Sequence, residues 1–213
     1  MSGGGWTGLI LGFGGVLTSG VAECAADFDR RAGLPDGTFL ATISEDPVGS
    51  GLFAELERGA ISQSDWNVRT GALLGMDGTG LLGRVLEGLR PEPSVIAAVE
   101  RARAAGVRVG VFSNSLGGPY DPFDVYAGYD LPERFDVVLL SGEYGMRKPD
   151  PELYGVMLER MGMPGERCVF VDDTARNLPP ARDLGLATVL ASEPARTIAD
   201  VEALLGIPLT GEA

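Results

Sequence analysis

Five short apolar runs recur along the chain, and beyond the first they alternate with segments of helical periodicity. The runs are residues 7–13 (TGLILGF), 107–112 (VRVGVF), 135–140 (FDVVLL), 167–171 (RCVFV) and 186–190 (LATVL). Residues 92–106 carry a helical pattern ended by Gly106, and residues 151–161 carry another, with Asp150 as N-cap and Pro151 in its first turn. Residues 174–184 read as a third helix that Pro179 and Pro180 must kink or shorten, and residues 198–205 close the chain as a fourth. Continuous apolar runs linked by helices predict an α/β fold, a parallel sheet covered on both faces.

One stretch breaks the alternation. Residues 19–89 hold no convincing strand but several amphipathic segments: VAECAADFDRRAG, LFAELERGA, SQSDWNVRTGALLG and GLLGRVLEGL. Ser62 with Asp65 three positions on has the form of a capping box for the third of these. The expected organisation is a core of residues 1–18 and 90–213, with residues 19–89 inserted as a helical cap over the carboxyl end of the sheet. Open α/β sheets bind ligands at that end.

Charge and composition narrow the chemistry. The 213 residues carry 17 Lys and Arg against 30 Asp and Glu, a net charge of −13. This argues against nucleic acid or an anionic membrane as the main partner. No apolar run approaches the roughly 20 residues of a bilayer span, and the start lacks a basic leader region; a mature, cytoplasmic protein is the expectation. With no histidine, Ser-His-Asp and Cys-His machinery and imidazole-based zinc sites are excluded. Cys24 and Cys168 are too few for a disulfide framework or a four-cysteine metal site. Carboxylates, lysine, hydroxyls, backbone amides or a borrowed metal must do the work.

Four segments lie just past predicted strand ends: residues 12–18 (GFGGVLT), Ser113-Asn114-Ser115, Arg147-Lys148-Pro149, and Asp172-Asp173 with Asn177. Adjacent carboxylates after an apolar strand repel each other, and a divalent cation or a lysine relieves that repulsion. Lys148 could meet those carboxylates or a phosphate, and Ser113 and Asn114 offer hydroxyl, amide and backbone donors. Taken singly, each segment is also ordinary turn chemistry: a capping Asp, a solvated Lys, a serine turn, a tight glycine bend.

In this order the segments resemble the haloacid dehalogenase (HAD) superfamily, nearest to the phosphatase group that includes the N-terminal domain of soluble epoxide hydrolases. The resemblance runs over nearly the whole chain, through FGGVLT, VFSNS, GMRKPDPELY and VFVDDTARNLPPARDLGL. It implies a Rossmann-like core, an α-helical cap and a magnesium-dependent mechanism through an ester on an aspartate. By that resemblance Ser113 and Asn114 bind the phosphoryl group, and Lys148 neutralises nucleophile and phosphate. Asp173, with Asp172 and the Gly14 carbonyl, holds Mg²⁺, and Asn177 orients the loop. The ligand is then a small phosphorylated or anionic molecule.

The chain departs from the family pattern at its chemical centre. Gly12 stands where the resemblance places the nucleophilic aspartate, and Gly14 where it places a second acid that acts as general acid–base. Glycine cannot form a covalent intermediate. Glu23 and Asp27, the nearest acids, read as charges on the first cap helix. Magnesium binding is weakened rather than abolished, since Mg²⁺ manages with one or two carboxylates plus substrate phosphate. Three readings stay open: a hydrolase fold that has lost its chemistry and keeps a binding pocket, an enzyme using water or a substrate group in place of the aspartate, or a variant of an otherwise competent phosphatase or dehalogenase. Trp66, Phe53, Leu56 and Met76 in the cap could line the pocket or simply pack. Residues 117–129, rich in aromatics and turn formers, could form a loop near it, a dimer contact or a surface cluster. Oligomeric state is not legible.

Overall fold

A computed structural model describes residues 5–117 and 121–211. Strands β1 (Gly8–Leu11), β2 (Arg108–Ser113), β3 (Val137–Leu140), β4 (Cys168–Asp172) and β5 (Ala187–Leu190) form one sheet in the order β3-β2-β1-β4-β5. All four pairings are parallel, as the alternation predicts, with Leu11 opposite Val111 on one side and Val171 on the other. Every residue of β1 and β4 is buried, so these strands need apolar side chains on both faces.

The two faces feed separate cores. Leu9, Leu11, Val109, Val111, Val169 and Val171 pack with α6 (Pro93–Ala104) and α10 (Pro194–Leu205). Ile10, Phe112, Leu139 and Phe170 point the other way, onto α8 (Pro151–Met161) and α9 (Leu178–Asp183). Successive strand residues alternate between these cores, which is the period of two expected of a pleated strand.

Two helix boundaries differ from expectation, and prolines explain both. The helix expected over residues 174–184 is a single 3₁₀ turn, Ala175–Asn177, followed by α9 with its prolines in the first turn. Proline has no N–H to donate and is tolerated only where that donor would be unpaired anyway. The closing helix likewise begins at Pro194 rather than at 198. Asp150 caps α8 by accepting from the Glu152 N–H at 3.2 Å.

Between β1 and α6 lie α1 (Val21–Ala32), α2 (Thr38–Ser44), α3 (Pro47–Glu57), α4 (Gln63–Leu73) and α5 (Leu81–Val85). Ser62 caps α4: its Oγ accepts from the Asp65 N–H at 3.0 Å and donates to the Asp65 carboxylate at 2.8 Å. Phe28, Phe39 and Trp66 interlock edge to face among these helices, and their cluster is continuous with the core under α6 and α10. The chain leaves and re-enters the sheet region at neighbouring points, where the Ser19 N–H donates to the Arg90 carbonyl at 2.8 Å and the Glu92 N–H to the Leu17 carbonyl at 2.9 Å. The remaining helix, α7 (Leu131–Arg134), precedes β3. Among the described residues, no helix is long and apolar enough to cross a membrane.

Candidate functional site

Strand order reverses between β1 and β4, and the carboxyl ends of strands flanking such a switch form a crevice. The structure brings all four sequence segments there. A cavity of about 200 Å³ is lined by Gly12, Gly14, Ser113, Asn114, Lys148, Asp172, Asp173 and Asn177 on the sheet side. Gly12 is held against β4 by its N–H, which donates to the Val171 carbonyl at 2.8 Å.

The centre of the site is a buried ion pair. Lys148 Nζ lies 2.6 Å from Asp172 Oδ2 and donates to the Phe112 carbonyl at 2.7 Å. It also sits 5.0 Å above the Phe112 ring. Asp172 Oδ1 accepts from Asn177 Nδ2 at 2.8 Å and from the Thr174 N–H at 3.0 Å. Both oxygens of Asp172 are therefore committed to protein partners. Asn114 fixes the lysine from behind: its Oδ1 accepts from the Lys148 N–H at 2.7 Å, and its Nδ2 donates to the Lys148 carbonyl at 3.2 Å. A buried pair is tolerated only when its remaining polar atoms are satisfied in this way.

Asp173 differs from its neighbour. Its outer edge meets solvent, and it leans over the turn after β1, with Oδ1 accepting from the Thr174 hydroxyl at 3.2 Å. Desolvation in the crevice and the adjacent Asp172 charge push its pKa up. A Cβ on Gly15 would fall 2.3 Å from Asp173 Oδ2, so glycine there makes room for the carboxylate. Among the described residues no group of three or more acids, cysteines or histidines is arranged to hold a metal. Asp173 and the backbone of the turn after β1 are the groups here that could hold a cation, with water and a bound anion as its other ligands.

Several cavity residues were not legible in the sequence. Glu57, at the end of α3, lines the cavity and pairs with Arg147 Nε at 2.7 Å. Burial pushes its carboxyl up against the opposing pull of Arg147, Asn114, Arg176 and Lys148. Nothing in LFAELERGA separates Glu57 from an ordinary solvated helix charge. Tyr126 lines the cavity too, with its hydroxyl 3.0 Å from Ser113 Oγ, and burial lifts its pKa to about 12. Its ring packs on Phe13 at 4.8 Å, so the aromatic segment 117–129 does reach the pocket. Residues 118–120 of that segment lie outside the described residues. Of Trp66, Phe53, Leu56 and Met76, Phe53 alone lines this cavity; Trp66 is fully buried among the helices between β1 and α6. Glu23 borders a different depression near α10, and Asp27 pairs with Arg30 on the surface of α1. Both free cysteines are buried and away from the crevice.

Comparison with known proteins agrees with this geometry. A profile of haloacid dehalogenase-like hydrolases matches residues 7–185. Acyl-CoA dehydrogenase family member 10 of Mus musculus is 33% identical over 121 residues, covering 55% of this chain and 11% of that protein. Bifunctional epoxide hydrolase 2 of Sus scrofa is 36% identical over 80 residues, 38% of this chain and 14% of that protein. The chain thus spans a small part of these relatives. Sesquiterpene phosphatase astK of Aspergillus oryzae is 26% identical over 182 residues, 84% of this chain and 88% of that protein. A HAD-family enzyme of Bacteroides thetaiotaomicron, solved with magnesium and inorganic phosphate, superposes with a TM-score of 0.66 at 22% identity, over 89% of this chain and 96% of that one. A variant of that enzyme with an aspartate replaced by alanine has also been solved with both bound. The chain belongs to the haloacid dehalogenase-like hydrolase family.

Proposed function

We propose that this chain binds a small phosphorylated or otherwise anionic molecule in the crevice, beneath a cap formed by residues 19–89, and that the covalent aspartyl route is closed to it. The observation that carries this reading is the contrast within one cavity. Lys148, Asp172, Asn177 and Asn114 are joined by hydrogen bonds that leave the buried Asn177 Oδ1 without a partner, while the β1 end beside them presents only the bare backbone of Gly12 and Gly14. The anion sits against Lys148, Ser113 and the Asn114 amide. Its organic part packs on Phe13, Phe53, Leu86, Leu89 and Val125.

Asp173 and the Gly14 carbonyl are the groups that would hold Mg²⁺, and a bound ion would offset the charge of phosphate and carboxylate together. Asp172 then serves as a positioning residue, since its oxygens already accept from Lys148, Asn177 and Thr174. The magnesium and phosphate seen in the Bacteroides enzyme, and in its variant lacking one aspartate, support a site that binds with fewer carboxylates. A second reading is favoured by the retention of Ser113, Lys148, Asp172, Asp173 and Asn177 together: slow hydrolysis in which water attacks the bound group directly. Calorimetric titration with inorganic phosphate and Mg²⁺ tests the binding reading. Saturable binding that weakens in Ser113→Ala and Asp173→Asn is expected, and no binding by the unaltered chain would overturn it.

A further inference from the structure

The cap-side wall of the cavity is apolar (Val21, Ile43, Phe53, Leu86 and Leu89) except for one acid, Glu57. An acid there is costly twice over. It is desolvated, with the residue only 6% exposed, and its charge repels any anion held by Lys148. Its main chain is nevertheless pinned to the core, because Ser141 Oγ donates to the Glu57 carbonyl and accepts from the Ser115 N–H at 2.8 Å. Arg147 holds one carboxylate oxygen at 2.7 Å, in an ion pair whose N–H is not aimed at that oxygen. Arg176, which also lines the cavity, makes no hydrogen bond or ion pair among the described residues. The guanidinium charges and the Asn114 side chain offset the carboxylate, yet Oε2 receives no well-aimed hydrogen bond. The residue lines the cavity, and its buried Oε2 carries no hydrogen bond.

Resting on the anion-binding reading, we infer that Glu57, steadied by Arg147, is a specificity residue that accepts a hydrogen bond from the ligand. The ligand class this selects is a phosphate or similar anion whose organic part carries a hydroxyl or protonated amine close to the anionic group. A plain alkyl phosphate leaves Glu57 unpaired against its tail.

A matched set of probes separates the outcomes: inorganic phosphate, hexyl phosphate and 2-hydroxyhexyl phosphate, each titrated calorimetrically with Mg²⁺ present. The unaltered chain is expected to bind the hydroxylated ester roughly tenfold more tightly than the plain one, the scale of a hydrogen bond to a charged group. Glu57→Gln and Glu57→Leu should erode that preference and leave inorganic phosphate bound at least as tightly. A merely structural clasp would weaken all three probes together. Equal affinity of the two esters for the unaltered chain, or an undiminished preference in Glu57→Gln, overturns the inference. If inorganic phosphate itself fails to bind, the anion-binding reading falls and takes this one with it.

Discussion

Three glycines share the turn after β1, and they stand there for different reasons. Gly15 has φ +71, and a Cβ on it would meet Asp173 Oδ2 at 2.3 Å, so backbone and neighbour both demand glycine. Gly12 and Gly14 lie outside the left-handed region. A Cβ on Gly12 would come within 3.1 Å of Asp172 Oδ2, and one on Gly14 within 3.1 Å of Val21 Cγ2. Both atoms end side chains rather than belonging to the backbone, so it is those side chains, not the turn, that must give by a few tenths of an ångström. Architecture requires the first glycine and merely accommodates the other two. On the proposed reading the gap at positions 12 and 14 is chemical, and neither position has the left-handed backbone that makes glycine necessary at Gly15.

The sharpest way to test that contrast is to refill position 12. On the proposed reading, Gly12→Asp should raise Mg²⁺-dependent hydrolysis of an aryl phosphate roughly 10³-fold or more, because it supplies a nucleophile beside Lys148. The new carboxylate would share Lys148 with Asp172, so Asp172 must shift as it enters. An inert Gly12→Asp that still folds and still binds phosphate would show that more than the nucleophile is missing. Next in size is Lys148→Met, which leaves Asp172 buried and unpaired. It should cost about 3–5 kcal/mol in chemical denaturation and abolish phosphate binding.

Smaller effects separate the glycines from one another. Gly15→Ala should destabilise by about 1–3 kcal/mol through its φ and its clash with Asp173. Gly12→Ala should stay within about 1 kcal/mol of the unaltered chain. Equal losses at both positions, measured by urea unfolding, would erase the distinction. A last effect, confined to alkaline pH, concerns Tyr126, whose raised pKa means that the folded state favours the neutral phenol. The stability this contributes is complete below pH 10 and is lost as pH rises through about 12. Tyr126→Phe should flatten that alkaline decline relative to the unaltered chain and leave stability near pH 7 little changed.

The parts of the molecule that were legible in the sequence are those where local pattern and tertiary role coincide. β1 and β4 are buried on both faces, so their apolar runs could hardly be anything else. Ser113 and Asp172-Asp173 could be placed because they stand at the ends of β2 and β4, and Lys148 because it lies in the turn region beyond β3, where strand ends converge. Helix limits near Pro179 and Pro194 differ from the sequence pattern by several residues, since proline fixes where a helix can start only once the neighbouring packing is known. Glu57 escapes the sequence for a different reason. Its part in the cavity comes from contacts with Ser141 and Arg147, far along the chain, and no local periodicity records them. Glu23 and Asp27 are nearer to Gly12 in sequence, yet the fold turns both away from the crevice.

Whether phosphate ever becomes attached to this polypeptide is the most direct question to put to it. Intact-mass spectrometry of the unaltered chain and of Gly12→Asp, each quenched in acid during incubation with an aryl phosphate and Mg²⁺, decides it. An unchanged mass is expected for the unaltered chain and a transient phosphoryl adduct for Gly12→Asp; a phosphoryl adduct on the unaltered chain would contradict the closure of the covalent route.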